Sequence, residues 1–446
     1  MKDYITVIGG GLAGSEAALQ IAKRGIKVKL YEMKPVKFSG AHSNNNLAEI
    51  VCSNSFKSNL LTNACGLLKE ELRILGSELI KIADKVKVPA GQALAVDRDN
   101  FSDEVTKLIE ENPNIEIIRE EVEKIPGDGI VIIATGPLTS ESFSKEILNK
   151  IGEKELYFYD AAAPIVEKDS IDMNIAFFGN RYDEERGLDE DYELWTQRLK
   201  TQEKSYINLP MNKEEYEEFV NELVNAETVV LHDFEKREIF EGCMPLEIMA
   251  KRGKDTLRFG PLKPVGFTDK RTGRRPYAIV QLRQDNAEGT LYNLVGFQTN
   301  LKYGEQKRVF SKIPGLENAS FVKYGVMHRN TYINSTELLD ETYNLKSDRR
   351  IYFAGQITGV EGYVESICSG FVSAINACRQ FENKEKIIFD NKTVIGSLSK
   401  YISSPKDNFQ PMNANFGILP ELSEKIRDKK ERYYKLAERS LKIIKE

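Results

Sequence analysis

The apolar and polar positions near the start of the chain follow two patterns, and each pattern predicts one kind of element. Residues 5–8 form a short β-branched run, which predicts a buried strand. Residues 15–24 are rich in helix formers and precede Gly25, which is typical of a helix and its end. Residues 26–31 predict a second strand. This order indicates a β-α-β unit.

The rest of the chain predicts further strands and helices. In the middle, Asn212 as N-cap and Glu215 three positions later form a capping-box pattern that predicts a helix over 212–226. The other predicted elements are strands at 130–137, 350–356, 278–283 and 290–297, an apolar helix at 364–378 and a charged amphipathic helix at 422–444.

A glycine-rich turn joins the first strand to the first helix. Gly9, Gly11 and Gly14 fit the spacing G-x-G-x-x-G in a strand–turn–helix setting, where backbone N–H groups and the helix N-terminus hold a pyrophosphate. Glu32 ends the second strand, 18 residues after Gly14, where an acid accepts a ribose hydroxyl. An acid at this position favours FAD or NAD over NADP at this site. The predicted nucleotide-binding residues are Gly9, Gly10, Gly11, Leu12, Ala13, Gly14 and Glu32.

Two later segments favour FAD. The strand at 130–137 contains Ala-Thr-Gly, and the strand at 350–356 continues into a glycine segment before the apolar helix. This arrangement resembles two-dinucleotide-binding flavoproteins, in which both segments meet the cofactor and the helix N-terminus stabilises negative charge on the reduced ring. The cofactor-binding residues predicted here are Thr135, Gly136, Gly355, Gln356 and Gly359.

Because cofactor segments lie near both ends of the chain, the middle is predicted to be an insertion. The predicted fold class is α/β, a Rossmann-like two-dinucleotide-binding FAD domain with an α+β insertion domain. The FAD domain is expected to be discontinuous, over 1–165 and 326–446. The insertion, over 166–325, is expected to bind the substrate.

The composition of the chain excludes several classes of protein. The chain has 41% hydrophobic and 29% charged residues, and no run approaches the roughly 20 apolar residues that span a bilayer. Five scattered cysteines form no disulfide framework or zinc motif. We therefore expect a cytoplasmic protein with free thiols, no membrane contact and no metal.

The net charge of −5 conceals two local fields of opposite sign. Residues 251–276 carry nine basic residues against two acidic ones, which favours contact with phosphates. The predicted RNA contacts are Arg252, Arg271, Arg274 and Arg275. Residues 183–193 carry seven acidic residues and are expected to be a solvated surface.

Two cysteines and one histidine are candidates for chemistry. Cys243 lies beside glycine and proline just before the basic stretch, which can lower a thiol pKa toward the reactive range. A thiolate suits attack at C6 of a uracil, although a small buried cysteine is the commoner role. Cys52 lies where a flavin-domain loop is expected. His328 fits either ligand contact or a structural role. Cys65, Cys368 and Cys378 lie in apolar helical patterns and are expected to be buried.

The chain closely resembles the bacterial folate- and FAD-dependent tRNA (uracil-5-)-methyltransferases. The resemblance spans nearly the whole chain and is carried by residues 7–17, 48–54, 88–98, 134–142, 157–169, 240–253, 324–330, 353–370 and 409–417. A more distant likeness is to the large flavoprotein of wobble-uridine modification.

The family resemblance implies a mechanism. Reduced FAD takes a one-carbon unit from 5,10-methylenetetrahydrofolate, flavin N5 delivers it to C5 of a T-loop uridine in tRNA, and NAD(P)H supplies the reducing equivalents. Cys243 matches the cysteine that adds to C6 of the uracil. Cys52 matches a second cysteine near the flavin, and Gly9 to Gly14 match the FAD-binding turn.

One departure from the family pattern leaves the RNA target open. Residues 177–205, with the acidic run and Trp195, are longer than is usual in the family. The same chemistry on a uridine of large-subunit ribosomal RNA therefore stays open. Two further functions stay open as well, that of a wobble-uridine modification flavoprotein and that of a non-catalytic flavin-containing RNA-binding protein.

Overall fold

The structure is a computed structural model of the 446-residue chain. It describes residues 2–152, 156–181, 193–194, 197–198, 202, 204–229, 244–325, 327–406 and 409–446. For residues 156–161 and 327–329 it describes the backbone only. The acidic run at 183–193 and Trp195 lie almost wholly outside the described residues.

The elements are numbered in chain order. The strands are β1 Tyr4–Ile8, β2 Lys27–Tyr31, β3 Ser55–Ser58, β4 Lys87–Val88, β5 Ala93–Val96, β6 Ile115–Ile118, β7 Val131–Ile133, β8 Leu156–Ala161, β9 Ile165–Glu167, β10 Phe177–Gly179, β11 Tyr206–Met211, β12 Ala278–Gln284, β13 Leu291–Leu294, β14 Phe321–Lys323, β15 Met327–Tyr332 and β16 Ile351–Phe353. The α-helices are α1 Leu12–Lys23, α2 Ala64–Leu75, α3 Glu78–Lys85, α4 Arg98–Glu110, α5 Glu141–Ile151, α6 Lys213–Asn225, α7 Leu246–Lys251, α8 Thr256–Phe259, α9 Tyr303–Phe310, α10 Ser335–Leu338, α11 Tyr363–Phe381, α12 Val394–Ser403 and α13 Lys429–Lys445.

A five-stranded parallel sheet, in the order β16-β7-β1-β2-β6, forms the first layer of the fold. Strands β7 and β16 are apolar and buried along their length, as expected where helices cover a parallel sheet, whereas β2 and β6 combine buried residues with half-buried or exposed ones. Ile8 is in register with Tyr31 and with Ile133, and Ile133 is in register with Phe353. The carboxyl ends of four strands therefore meet at one edge, and the predicted Rossmann-like α/β fold is confirmed.

Helices α1 and α11 pack against each other at very short range. A Cβ atom added at Gly370 of α11 would lie 2.2 Å from the carbonyl oxygen of Ala13 in α1. This approach brings the N-terminus of α11 close to the glycine turn that precedes α1. The segments at the start of α1 and the start of α11 are about 350 residues apart in sequence. The close contact between the two helices brings both segments to the same nucleotide site.

A six-stranded antiparallel sheet, in the order β10-β11-β12-β13-β9-β14, carries a second hydrophobic core. Helix α6 packs on this core through Tyr216, Phe219 and Leu223, and its capping box of Asn212 and Glu215 is formed as predicted. The second core draws its buried residues from 166–319, and the first core from 5–147 and 332–437. The division into two domains stays a prediction, and the two cores agree with it.

The predicted C-terminal helix begins later than expected. Helix α13 begins at Lys429, and the side chain of Asp428 accepts a hydrogen bond from the N–H of Glu431 at 2.7 Å. The predicted start at residue 422 is wrong because the capping aspartate fixes the first turn. Among the described residues, no helix has the length and apolar character needed to cross a membrane.

Candidate functional site

The glycine turn between β1 and α1 lies at the carboxyl edge of the parallel sheet. Gly9 has a φ of +103°, and a Cβ atom there would lie 2.5 Å from the carbonyl oxygen of Ala134. A Cβ atom at Gly14 would lie 1.8 Å from the carbonyl oxygen of Gly9. At Gly11, by contrast, no atom lies within 4 Å of the Cβ position. Two of the glycines thus allow the tight turn, and the third leaves space for a ligand at the helix N-terminus.

Glu32 is already held for ligand binding by the backbone around it. Its carboxylate accepts hydrogen bonds from the N–H of Gly10 at 2.9 Å and from the N–H of Lys34 at 3.0 Å. One bond goes to each carboxylate oxygen, so lone pairs remain for the hydroxyls of a ribose. A cleft lies against this carboxylate and the glycine turn. The open space at Gly11 and the fixed acceptor fit the adenosine half of a dinucleotide.

The structure adds three residues to this cleft that sequence reasoning missed. Lys34, His42 and Glu49 line it beside Glu32. The Nζ atom of Lys34 lies 3.1 Å from a Glu49 oxygen and donates to the carbonyl of Asn46 at 2.6 Å, and both charged side chains are buried. Lys34, His42 and Glu49 belong to an irregular segment. The spacing of apolar residues in the sequence does not predict where such a segment lies in the fold.

Burial and neighbouring charges set the protonation states of His42 and Glu49. Burial lowers the pKa of His42, and the charge of Lys34 lowers it further. Burial alone would raise the pKa of Glu49, but hydrogen bonds from Ser43 and the charge of Lys34 outweigh it and leave this pKa below its ordinary value. The cleft therefore contains a neutral imidazole and a paired carboxylate at neutral pH.

The later predicted segments meet the glycine turn. Ala134 N–H donates to the carbonyl of Ile8 and Ala354 N–H to that of Ile133, both at 2.8 Å. Thr135, which lines the cleft, and Gly136 thus lie directly beside the turn. Gly355 has a φ of +83° and donates its N–H to Ser369 Oγ of α11 at 2.6 Å. Gln356 begins a short 3-10 turn that ends at Thr358, and Gly359 caps this turn before α11.

Cys52 lies in a loop that faces the N-terminus of α11. The hydroxyl of Tyr363, the first residue of α11, accepts hydrogen bonds from the N–H groups of Cys52 at 2.9 Å and Ser53 at 3.2 Å. Arg98 donates to the carbonyl of Ile50 at 2.9 Å and to that of Cys52 at 3.4 Å. The thiol-bearing loop is therefore held from two elements of the first core.

The second core holds the same loop through a buried polar network. Arg283 of β12 donates to Asn54 Oδ1 at 2.9 Å and to Ser53 Oγ at 2.8 Å. Asp285, just after β12, accepts two hydrogen bonds from Nε of Arg98, the shorter at 2.9 Å. Tyr363 and Arg98 belong to helices of the first core, whereas Arg283 belongs to a strand of the second sheet, so the loop of Cys52 lies at the boundary between the two cores.

The cations around this loop are partly desolvated. Burial lowers the pKa of Lys323, and the charge of Arg98 lowers it further. Burial likewise lowers the pKa of the Arg283 guanidinium. Arg98 is paired with Asp285, whereas Arg283 donates to neutral side chains, so positive charge remains at this boundary.

The remaining predicted residues fall into three groups. Cys243 lies outside the described residues, and His328 is described only as part of β15. Cys65, Cys368 and Cys378 are buried as predicted, and burial raises the pKa of each thiol.

The basic stretch is exposed, but its arginines differ. Arg252, Arg274 and Arg275 lie on the surface. Arg271 instead pairs with Glu215 at 2.9 Å and with Asp269 at 3.0 Å. Its guanidinium is therefore committed within the protein and is a poorer phosphate contact than its neighbours.

The fold and the dinucleotide cleft define a protein of the GidA class. The sequence model of the family described as "Glucose inhibited division protein A" matches residues 4–385. Among solved structures, Aquifex aeolicus GidA in its form II crystal covers 99% of this chain and 74% of its own, with a TM-score of 0.68 and 17% identity. The form I crystal gives a TM-score of 0.67. At this identity the likeness shows the fold.

Relatives similar over their whole length narrow the class to one family. The methylenetetrahydrofolate–tRNA-(uracil-5-)-methyltransferase TrmFO of Acetivibrio thermocellus is 62% identical, covering 100% of this chain and 99% of the relative. The enzymes of the same name from Fusobacterium nucleatum and Bacillus pumilus are 58% and 56% identical, covering 100% of this chain and 99% and 98% of theirs. The chain belongs to the TrmFO family. The prediction of a methyltransferase of this family, with FAD as cofactor, is confirmed at the level of the family.

Proposed function

We propose that this protein methylates C5 of a uracil in tRNA, at a T-loop uridine. The one-carbon donor is 5,10-methylenetetrahydrofolate, and NAD(P)H is the reductant. The observation that carries the proposal is identity of 56–62% to the TrmFO methyltransferases over the whole chain, together with the dinucleotide cleft. The reaction requires soluble RNA and folate, so we place the protein in the cytoplasm.

The chain supplies a binding frame for the cofactor. Bound FAD provides the redox chemistry that moves the one-carbon unit from the folate and reduces it to a methyl group. The turn from Gly9 to Gly14 binds the pyrophosphate, and Glu32 accepts the ribose hydroxyls. The N-terminus of α11 favours negative charge at the flavin end of the site, because the first N–H groups of a helix have no acceptor within the helix and carry partial positive charge.

The loop of Cys52 shapes the boundary where substrate and cofactor meet. Tyr363 and Arg98 hold its backbone, and Arg283 holds its side chains. A loop fixed from both cores holds the backbone of Cys52 in place, and its thiol is half-buried.

Cys243 is proposed to activate the base. Its thiolate adds to C6 of the uracil, which makes C5 a carbon nucleophile that forms a bond to the one-carbon unit. The C5 proton is then lost, and the C6–S bond breaks to release the thiolate and restore the C5=C6 bond. This role rests on the sequence setting of Cys243 and on the family resemblance. Arg252, Arg274 and Arg275 are proposed to contact the phosphates of the RNA.

A reconstituted assay tests the proposal. Purified protein, methylenetetrahydrofolate and NADPH should form 5-methyluridine in tRNA from a strain that lacks this modification, without S-adenosylmethionine. Mapping the methylated position identifies the uridine. If ribosomal RNA alone acquires the methyl group, the RNA target is wrong and the chemistry stands. If no RNA is methylated, the proposed function is wrong.

A further inference from the structure

An exposed aromatic ring lies among cations on the second core. The side chain of Phe259, the last residue of α8, is 74% exposed, the highest value among the exposed large hydrophobic residues of the described chain. A shallow groove beside it is lined by Arg258, Lys263, Arg275 and Tyr277. We refer to these five residues as the Phe259 groove.

Arg258 lies between the two rings of the groove. Its guanidinium carbon lies 4.0 Å from the ring centroid of Tyr277 and 5.1 Å from that of Phe259. One terminal nitrogen lies 3.5 Å from a carboxylate oxygen of Asp255, and the Nε atom is buried, with no hydrogen-bond partner within the described part of the chain. The Arg258 side chain is 25% exposed, so part of its positive charge lies at the surface of the groove.

The two other cations of the groove add charge beside the rings. Arg275 is exposed and Lys263 is half-buried, and neither forms an ion pair with a described residue. Phosphate oxygens are natural partners for such a guanidinium and such an ammonium group. The groove thus combines aromatic faces with positive charge.

We propose that the Phe259 groove binds an unpaired nucleotide of the RNA substrate, with its base stacked on Phe259 and its phosphates held by Arg258, Lys263 and Arg275. An aromatic face beside cations is the combination that binds single-stranded nucleic acid, because every base has a face to stack and a phosphate to neutralise. A solvated basic surface has no need of an exposed phenylalanine. This inference rests on the proposed RNA substrate and adds a second contact with it.

The groove is separate from the reacting base. Strand β12 begins at Ala278, beside Tyr277, and reaches Arg283, which contacts the Cys52 loop. Five residues of a strand span about 17 Å, which is about five stacked nucleotides. The groove therefore contacts a part of the RNA that a short fragment carrying only the target uridine does not reach.

A fluorescent substitution tests the stacking directly. The chain has a single tryptophan, Trp195, so Phe259→Trp in a Trp195→Phe background places one indole in the groove. Titrating the FAD-loaded variant with an unmodified full-length tRNA transcript should quench its emission and protect it from iodide. Inorganic polyphosphate should give neither effect. Unchanged emission with bound tRNA, or equal quenching by polyphosphate, would overturn the proposal.

Affinity measurements give an independent test. Phe259→Ala should weaken binding of the full-length transcript about tenfold or more and leave binding of a trinucleotide centred on the target uridine unchanged. Phe178→Ala is the matched control, because Phe178 is also an exposed ring with a cation over it, Lys168 at 5.7 Å. Equal tRNA affinity of wild type and Phe259→Ala would contradict the proposal.

The wild-type methylation assay on the same transcript distinguishes a failure of the proposed methyltransferase function from a failure of nucleotide binding in the Phe259 groove. If wild type methylates the RNA while the introduced indole gives no response, only the groove is refuted. If wild type methylates no RNA, the proposed function fails, whatever the fluorescence shows.

Discussion

At the scale of single residues, the site depends on side chains that the protein's own hydrogen bonds hold in place. Glu32 shows this most clearly, since two backbone N–H groups orient its carboxylate toward the cleft. Spacing from Gly14 was enough to predict Glu32. Lys34, His42 and Glu49 were not predictable, because they lie in an irregular segment whose chain path depends on tertiary contacts.

Replacing Glu32 with glutamine should weaken FAD binding. The amide keeps the shape but removes the charge that strengthens hydrogen bonds to ribose hydroxyls, so we expect a loss of about tenfold to a hundredfold. Titration of the apoprotein with FAD, followed by flavin fluorescence, measures this. Glu116→Gln, an exposed acid on β6, should bind FAD like wild type. Equal affinity of both variants would contradict the role of Glu32.

Replacing Cys243 with alanine should abolish methylation and leave the protein yellow, because the thiolate acts on the uracil and not on the cofactor. The loss of turnover is expected to be at least a hundredfold, and a radioactive methyl-transfer assay measures it. Cys378→Ala is the control, because burial raises the pKa of Cys378 to about 12 and leaves it without a thiolate. Near-normal turnover of Cys243→Ala would remove the nucleophile from the mechanism.

At the scale of elements, the sequence predicted the helices whose ends are marked by capping residues. The capping box at Asn212 and Glu215 placed α6 within one residue of its observed ends. The C-terminal helix was placed too early, because its amphipathic pattern continues upstream of Asp428. The buried glutamates that join helices were not predictable from periodicity, since their partners are far apart in the chain.

Glu71 joins three helices and is expected to make stability depend on pH. It lies in α2, accepts the N–H groups of Val394 and Ile395 at the start of α12, and is bonded to Ser440 of α13. Burial raises its pKa to about 7, from an ordinary value of 4.5. The folded protein thus binds this proton more tightly than the unfolded chain. The stabilisation is complete below about pH 4.5 and is lost as the pH rises to 7, by about 3 kcal/mol.

Urea unfolding at several pH values checks this expectation. Wild type should lose stability between pH 5 and pH 8 relative to Glu71→Gln, which has no proton to release at this position. The glutamine variant has lower stability at pH 5, because its amide faces backbone donors, so the slope with pH is the informative quantity. Parallel slopes for the two proteins would show that Glu71 is not responsible.

At the scale of the whole molecule, function is assembled from parts that the chain order separates. The parallel sheet and the nucleotide turn were predicted because each βα segment has its own apolar run and glycine spacing in the sequence. The contact of Arg98 with Asp285 joins residues 187 positions apart. No feature of the sequence marks these two residues as partners.

Surface charge should control RNA binding as a whole. Neutralising Arg252, Arg274 and Arg275 to glutamine should weaken tRNA binding and reduce the magnitude of its salt slope by about two to three. Filter binding across a series of salt concentrations measures both quantities. Arg271→Gln should instead lower the urea midpoint, because Arg271 is paired with Glu215 and Asp269. An unchanged salt slope in the triple variant would refute the phosphate contacts.

The strand order has a consequence for how the chain is made on the ribosome. Strand β7 lies between β1 and β16, and β16 begins only at residue 351. Until translation has passed that point, β7 is an apolar edge with unpaired backbone groups, the kind of edge that recruits other strands. A nascent chain stalled before residue 351 is therefore expected to need a chaperone, although more than three quarters of it has been synthesised.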